Sequence, residues 1–434
     1  MTDLLELFNP STIRDDSFIM IKLPSENCRV FKLTAGNLIK LGKFGSFYAS
    51  DIIGHPFGYT YEIVGDKQLR IVSEDFIKDV TEPEADANNQ DLLDDPLAQQ
   101  LTRNEIEEMK KSTTDGGRAL IEKVVSGHVA FDKKTTFSQE KYLKRKEQKF
   151  LKRFTPIPIG SSELIEYYSD KESPTKVMDL TEESLGLIMS LANIRPGGNY
   201  LVVDDVSGVL VAAMLERMGG EGVIVVAHDD GNPKLDGLRY LNLPEKYIES
   251  RVRSVSWLDF LDPNQEAEYE YREMSPEEFD SLPPNLKLQY TRRKRRSENY
   301  AFVRNLVDNK KFDALVMSTT IHVPTLIPRV IEAVSGSRPV IVYDGSKELL
   351  LETSQVLMKD LRILAPTIIE TKVRKYQTLP GRIHPHMTMR GAGGYILWGT
   401  RVFPNSNVNA VKINRGKKRK AVSSEETSTP EVEV

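Results

Sequence analysis

Residues Asn199 to Asp230 read NYLVVDDVSGVLVAAMLERMGGEGVIVVAHDD. An apolar run, Leu201–Val203, ends at Asp204 and Asp205, turns, and enters a helical pattern that closes at Gly219 and Gly220. A second apolar run, Val223–Ala227, follows. This is a strand–turn–helix–strand unit, the frame of a nucleotide-cofactor site, where glycines in the turn let the backbone approach the ligand. Along an acid-x-Gly-x-Gly-x-Gly pattern counted from Asp205, the slots hold Ser207, Val209 and Val211; counted from Asp204, they hold Val206, Gly208 and Leu210. Either register keeps at most one glycine, and branched side chains take the ligand's room. The expectation is a preserved frame around a closed pocket. Asp229 or Asp230 ends the second run, where an acid often holds ribose hydroxyls, although acids also form turns there.

Outward from this unit, residues 157–401 alternate strand and helix patterns, as a doubly wound α/β sheet requires. Phe312–Ser318 and Pro339–Tyr343 read as further strands, and Ile363–Lys372 with Gly394–Gly399 as a closing antiparallel pair. Residues 156–405 are therefore expected to form a Rossmann-like domain of the methyltransferase type with a degenerate cofactor site. Within it, 262–299 reads as an inserted, disordered loop: acidic first, then Pro283-Pro284, then Arg292–Arg296. Residues 1–80 hold short β-rich runs separated by turn residues and suggest a small β-barrel-like domain. Residues 81–115 are acidic and aperiodic, a flexible linker with a short helix at Asn104–Lys111; 116–155 form a basic helical connector; 406–434 are a disordered polar tail.

The chain of 434 residues has room for two or three domains, and its single cysteine, Cys28, excludes an intrachain disulfide and points to a reducing compartment. No uninterrupted apolar run is long enough to span a bilayer, and the opening MTDLLELFNPSTIRDD does not read as a secretory signal. A net charge of -4 conceals segregated acidic and basic blocks. In SQEKYLKRKEQKFLKRF, Lys141, Lys144, Arg145, Lys149 and Lys152 recur at helical spacing on one side, with Leu143, Phe150 and Phe154 on another. Seven cations between Lys141 and Arg153 against the single acid Glu147 favour a phosphate-binding rail over a merely solvated face.

Catalytic chemistry finds little support. Strand Phe312–Ser318 ends in Ser318-Thr319-Thr320, where base-modifying enzymes place an acid or an aromatic–proline cluster; hydroxyls without a base are poor proton acceptors and read better as helix caps. His384 and His386 flank Pro385, but no third ligand has metal-site spacing, so no metal is expected. The segment Arg374–Gly399 carries Arg374, Lys375, Arg382, His384 and Arg390 among glycines and prolines, as either a plain loop or a basic loop suited to folded RNA.

Here the chain resembles a family. LPGRIHPHMTMRGAGGYILWG is similar to the C-terminal signature of the non-catalytic subunits of the eukaryotic tRNA (adenine-N1)-methyltransferase that modifies T-loop adenosine 58. FIMIKLPSENCRVFKLTAGNLIKLGKFGSF resembles their N-terminal domain, SQEKYLKRKEQKFLKRF their lysine-rich helix, and SLANIRPGGNYLVVDDVSGVLVAAMLERMGGEGVIVV their degenerate core. The resemblance implies a tRNA-binding scaffold without cofactor or catalytic residues. It further implies a nuclear heterotetramer holding two copies each of this chain and the catalytic subunit, with S-adenosylmethionine bound only by the latter. By the same resemblance Ser318 stands where the catalytic sister has an aspartate. The implied RNA contacts are Lys141, Lys144, Arg145, Lys149 and Lys152, then Arg374, Arg382 and His384. The clusters Arg292–Arg296 and Lys417–Lys420 lie outside the shared pattern and suit loose RNA binding or nuclear import. Two rivals remain: an active methyltransferase with Asp205, Gly208 and Asp229 at its cofactor, and a translation-factor-like RNA-interaction protein.

Overall fold

The computed structural model describes residues 6, 8, 10–65, 67–72, 101–102, 105–106, 108–109, 117–128, 131, 136–169, 174–229, 231–262, 271–379, 382–387 and 393–405. The linker residues 81–100, Asp230, Arg390, Lys417–Lys420 and the tail from 406 lie outside them. Of the short helix expected at Asn104–Lys111, Glu105, Ile106, Glu108 and Met109 are described, and they are helical.

The N-terminal strands are β1 (Phe18–Lys22), β2 (Cys28–Lys32), β3 (Leu38–Lys40), β4 (Ser46–Tyr48), β5 (Tyr61–Val64) and β6 (Gln68–Ile71). Two helices follow, α1 (Arg118–Ser126) and α2 (Thr136–Phe150), and then β7 (Arg153–Ile157). The first sheet runs β2-β1-β7-β5-β6, with β3–β4 as a separate hairpin. The strand in its middle thus comes from beyond the basic helix, and a boundary at residue 155 cuts through it. Pro156 disguises it, since proline cannot donate to a ladder. Pairing to β5 involves only Arg153 and Phe154, so the missing N–H at Pro156 is tolerated. Phe154 leaves the helix's apolar side altogether and stacks in the N-terminal core, 4.3 Å from Phe47 and 5.4 Å from Tyr61.

Strand β1 explains how this sheet meets the next domain. Ile19 and Ile21 enter the N-terminal core, while Met20, on the opposite face, joins the core of the large domain. Asn242 completes the junction: its side chain accepts from Phe18 N–H at 2.6 Å and donates to Phe18 O at 2.8 Å.

The large domain continues with α3 (Ser161–Tyr167), α4 (Glu182–Leu191), β8 (Asn199–Asp204), α5 (Val209–Met218), β9 (Val223–His228), α6 (Glu245–Arg251), β10 (Val252–Ser256) and α7 (Trp257–Leu261). Then come α8 (Pro276–Ser281), α9 (Pro284–Asp308), β11 (Ala314–Ser318), α10 (Val323–Val330), β12 (Pro339–Asp344), α11 (Lys347–Lys359), β13 (Ile363–Glu370), β14 (Tyr376–Leu379), β15 (Arg382–Pro385) and β16 (Tyr395–Arg401). The sheet order is β10-β9-β8-β11-β12-β16-β13, parallel through β12 and antiparallel at β16 and β13. Strand β8 is apolar throughout because both faces are covered: Tyr200 and Val202 enter one core, Leu201 and Val203 the other. Helix α5 is buried on nearly every side, from Val209 through Leu215 and again at Met218. It ends as the sequence suggests, with Gly219 in the left-handed region at φ 58°.

The loop expected at 262–299 is corrected in its described part. Residues 276–281 and 284–299 are helical, the latter as the start of the 25-residue α9. Pro284 sits in the first turn, where proline favours helix initiation rather than breaking it. A polar composition hid the element, because only Tyr300, Val303 and Leu306 are buried along it.

Candidate nucleic-acid interface and the closed cofactor turn

Strands β8 and β11 are neighbours where the strand order reverses, the place at which doubly wound sheets bind ligands beyond their carboxyl ends. The turn there is satisfied by its own side chains. Asp204 Oδ1 accepts from Val206 N–H at 2.9 Å and Gly208 N–H at 3.0 Å, and Oδ2 accepts from Val211 N–H at 3.1 Å. These donors surround the start of α5, where a ligand anion would otherwise be received. Burial pushes the Asp204 carboxyl up to about 6, against the downward pull of the same three amides.

Asp205 is committed as well. Its Oδ2 accepts from Thr319 Oγ1 at 2.7 Å and Thr320 N–H at 3.0 Å, which binds the turn to the end of β11. Gly208 has φ +83°, and a Cβ there would stand 2.9 Å from Leu235 Cα. This glycine therefore serves close packing of the chain on itself. Val206, Val209, Leu210 and Val211 are completely buried. The space left between the ends of β8 and β9, bordered by Asp204, Asp205 and Asp229, is a cavity of about 50 Å³. Ligand pockets run to roughly 300 Å³ and more.

The end of β11 is covered too. Ser318 is buried, and its hydroxyl donates to Met178 Sδ at 3.5 Å; Tyr343 OH donates to Met178 O at 3.1 Å. Residues Met178 and Asp179, both at positive φ, thus strap the position where the resemblance puts the sister's aspartate. The sequence marked Ser318 but carried no sign of that strap. Among the described residues, no group of three or more His, Cys, Asp or Glu could hold a metal ion, and no helix is long and apolar enough to cross a membrane.

The cationic residues lie on other elements. Lys141, Lys144, Arg145 and Lys149 are exposed on α2, within one stripe of the helix. Lys144 Nζ is 3.9 Å from Glu26. Leu143, Phe150 and Leu151 pack instead against Leu120, Ile121 and Val124 of α1. Lys152 departs from the expected series: the helix stops at Phe150, Lys152 is half-buried, and its carbonyl accepts from Ile63 N–H at 2.8 Å. The other candidates belong to a different element, the hairpin β14–β15, which pairs with neither large sheet. Arg374 precedes it and is exposed; Arg382 opens β15 opposite Leu379; His384, also exposed, pairs with Gln377.

A buried carboxylate fixes the helical pair bearing the first group. Glu62 of β5 is fully buried, with Arg153 Nε at 3.1 Å, Arg118 Nε at 3.4 Å and the Arg70 guanidinium also in contact. Arg118 begins α1 and Arg153 follows α2, so one acid holds both ends of the pair against the first sheet. Glu62 gave no signal in the sequence, because its partners lie as far as 91 residues away.

Comparison with known proteins agrees with this architecture. The Gcd10p family matches residues 12–282. The tRNA (adenine(58)-N(1))-methyltransferase non-catalytic subunit TRM6 of Debaryomyces hansenii is 42% identical, over 94% of this chain and 90% of that protein. The subunit of the same name from Schizosaccharomyces pombe is 30% identical, over 96% of this chain and 98% of that protein. Among solved structures, a SAM-dependent O-methyltransferase from Thermotoga maritima superposes with a TM-score of 0.50 at 12% identity, over 91% of this chain and 96% of that one. The last likeness establishes a methyltransferase-type fold alone. With relatives this similar along nearly their whole length, the chain belongs to the Gcd10p family.

Proposed function

We propose that this chain is the non-catalytic, tRNA-binding and scaffolding subunit of a heteromeric tRNA (adenine(58)-N1)-methyltransferase. One observation carries the proposal: Asp204 consumes the amides of the cofactor turn while Val206, Val209 and Val211 fill it. A chain that closes its turn in this way has no place for a methyl donor and contributes by position. The names of its relatives, each a non-catalytic subunit, support the same assignment. Against the rival reading as an active methyltransferase stand two of its three residues, since Asp205 is bound to Thr319 and Thr320 and Gly208 lies against Leu235.

The partner is a catalytic subunit that holds S-adenosylmethionine, in a nuclear assembly of two copies of each chain. Exposed Lys141, Lys144, Arg145 and Lys149 support a role in neutralising tRNA phosphates. Such contacts release counterions, so affinity falls steeply with salt. Holding the tRNA steady lets the partner act on a base drawn out of the T-loop, and misplacement by about 1 Å can cost roughly a hundredfold. Co-expression with the catalytic subunit tests the proposal: native mass measurement is expected to find both chains in equal number, and tRNA methylation is expected to need both. Full methylation by the partner alone would refute it, as would methylation by this chain alone.

A further inference from the structure

A second cationic surface lies at β10, the edge strand of the large sheet. Helix α9 is bound to this edge by Asn299, whose Nδ2 donates to Ser254 O at 2.8 Å. One turn of α9 spans 3.6 residues, so Arg292, Arg295, Arg296 and Asn299 share a stripe, whereas Arg293 and Lys294 point elsewhere. That stripe and Arg253 of β10 border a groove of about 320 Å³. The groove leads into a second hollow of about 490 Å³, sharing Ser254, Arg296 and Asn299 and reaching His228 at the end of β9. Four arginines thus face one trough whose bordering acids are already engaged. Glu249 lies 2.7 Å from Arg295, and Asp259 accepts from Ser256 Oγ at 2.8 Å. Arg253 lies 5.7 Å from the Phe302 ring, and its buried Nε has no hydrogen-bond partner.

We propose that this trough is a second binding site for the tRNA, taking a run of backbone phosphates on Arg253, Arg292 and Arg296. The inference rests on the tRNA-binding role proposed above and adds a location for it. Guanidinium forks suit phosphate oxygens better than ammonium groups do, because they donate two parallel bonds. The arginine cluster is therefore divided by the helix: one side addresses the trough, the other solvent.

The test uses the full chain co-purified with its catalytic partner and measures tRNA affinity across a salt series. Combined Arg253→Ala, Arg292→Ala and Arg296→Ala substitutions are expected to reduce the slope of log affinity against log salt by about 2, given roughly 0.7–0.9 per phosphate contact. Arg293→Ala with Lys294→Ala, on the other side of the helix, is expected to leave it unchanged. Lysine in place of the three arginines retains the slope if the trough is real, and circular dichroism checks that α9 persists. Losses in proportion to the charges removed, three against two, would show a diffuse charge effect and overturn the proposal. An unchanged slope in the trough variant, with a reduced slope on reversing Lys141, Arg145 and Lys149, would overturn it while sparing the wider role. No change from either surface would refute both. Loss of nuclear accumulation with unchanged tRNA affinity would assign the cluster to an import receptor instead.

Discussion

Replacing Glu62 by alanine removes the acid on which the helical pair α1–α2 hangs. Glu62 is fully buried, and Arg153, with its side chain 11% exposed, already has one guanidinium nitrogen, Nη2, without a partner. Deleting the carboxylate leaves a buried cation uncompensated, which costs about 3–5 kcal/mol where an ion pair is broken from one side. The exposed Arg70 adds little to that figure. Burial raises the Glu62 carboxyl, but hydrogen bonds from Arg70 and Arg153 and the charge of Arg118 outweigh it and hold the group below its ordinary 4.5. A lowered folded value adds stability above the unfolded one and forfeits it as pH falls through the folded one. Glu62→Gln, which keeps the shape, should therefore differ most from the parent at neutral pH and converge with it in acid. Both tryptophans, Trp257 and Trp398, lie in the large domain and would not report this change. Hydrogen exchange of the α1 and α2 amides is the suitable assay, combined with urea unfolding followed by circular dichroism. Protection in α2 is expected to fall in Glu62→Ala, with tRNA affinity weakening alongside it. Unchanged protection and an unchanged unfolding midpoint would refute the clamp.

Other outcomes follow from the same geometry. Reversing Lys141, Arg145 and Lys149 to glutamate should lower the salt slope of tRNA binding by about 2 or more without altering the circular dichroism spectrum, as measured by fluorescence anisotropy across a salt series. Asp204 has a raised carboxyl, about 6 against an ordinary 3.8, so its folded state retains the proton longer and stability contributed by that proton is lost as pH rises through about 6. Asp204→Asn should then lack this part of the pH dependence, worth about 3 kcal/mol, with denaturant midpoints at acidic and neutral pH as the check. Placing an acid there with Ser318→Asp buries a charge beneath Met178; it should destabilise the chain by several kcal/mol in thermal melts and give no methylation by the chain alone. Met178→Ala should cost only about 1 kcal/mol in denaturant unfolding, because Met178 is partly exposed and its carbonyl still accepts from Tyr343.

Much of the large domain was legible in the sequence because its strands are buried on both faces and so appear as unbroken apolar runs, Leu201–Val203 and Val223–Ala227 among them. The apolar filling of the turn after β8 was legible too, since valines stand in glycine slots and are buried there. What escaped depends on contacts distant in sequence. Strand β7 carries a proline and reads as the frayed end of a basic helix, although its partners lie 90 residues or more before it. Helix α9 has so polar a surface that its insertion looked like a loop; only three of its residues are buried. Of the rail, Lys141, Lys144, Arg145 and Lys149 follow helical spacing as expected, while Lys152 is diverted by the turn into β7. Neither Glu62 nor the Met178 strap has any local signature, because each acquires its meaning from the residues folded against it.

The central claim is that the turn after β8 is closed by the chain's own side chains. Calorimetric titration of S-adenosylmethionine into the full chain alone, and into the chain assembled with its catalytic partner, tests it most directly. The expected results are no binding heat for the chain alone and one cofactor per catalytic subunit in the assembly. Saturable micromolar binding to the chain alone, weakened by substitutions at Asp205 or Asp229, would contradict it.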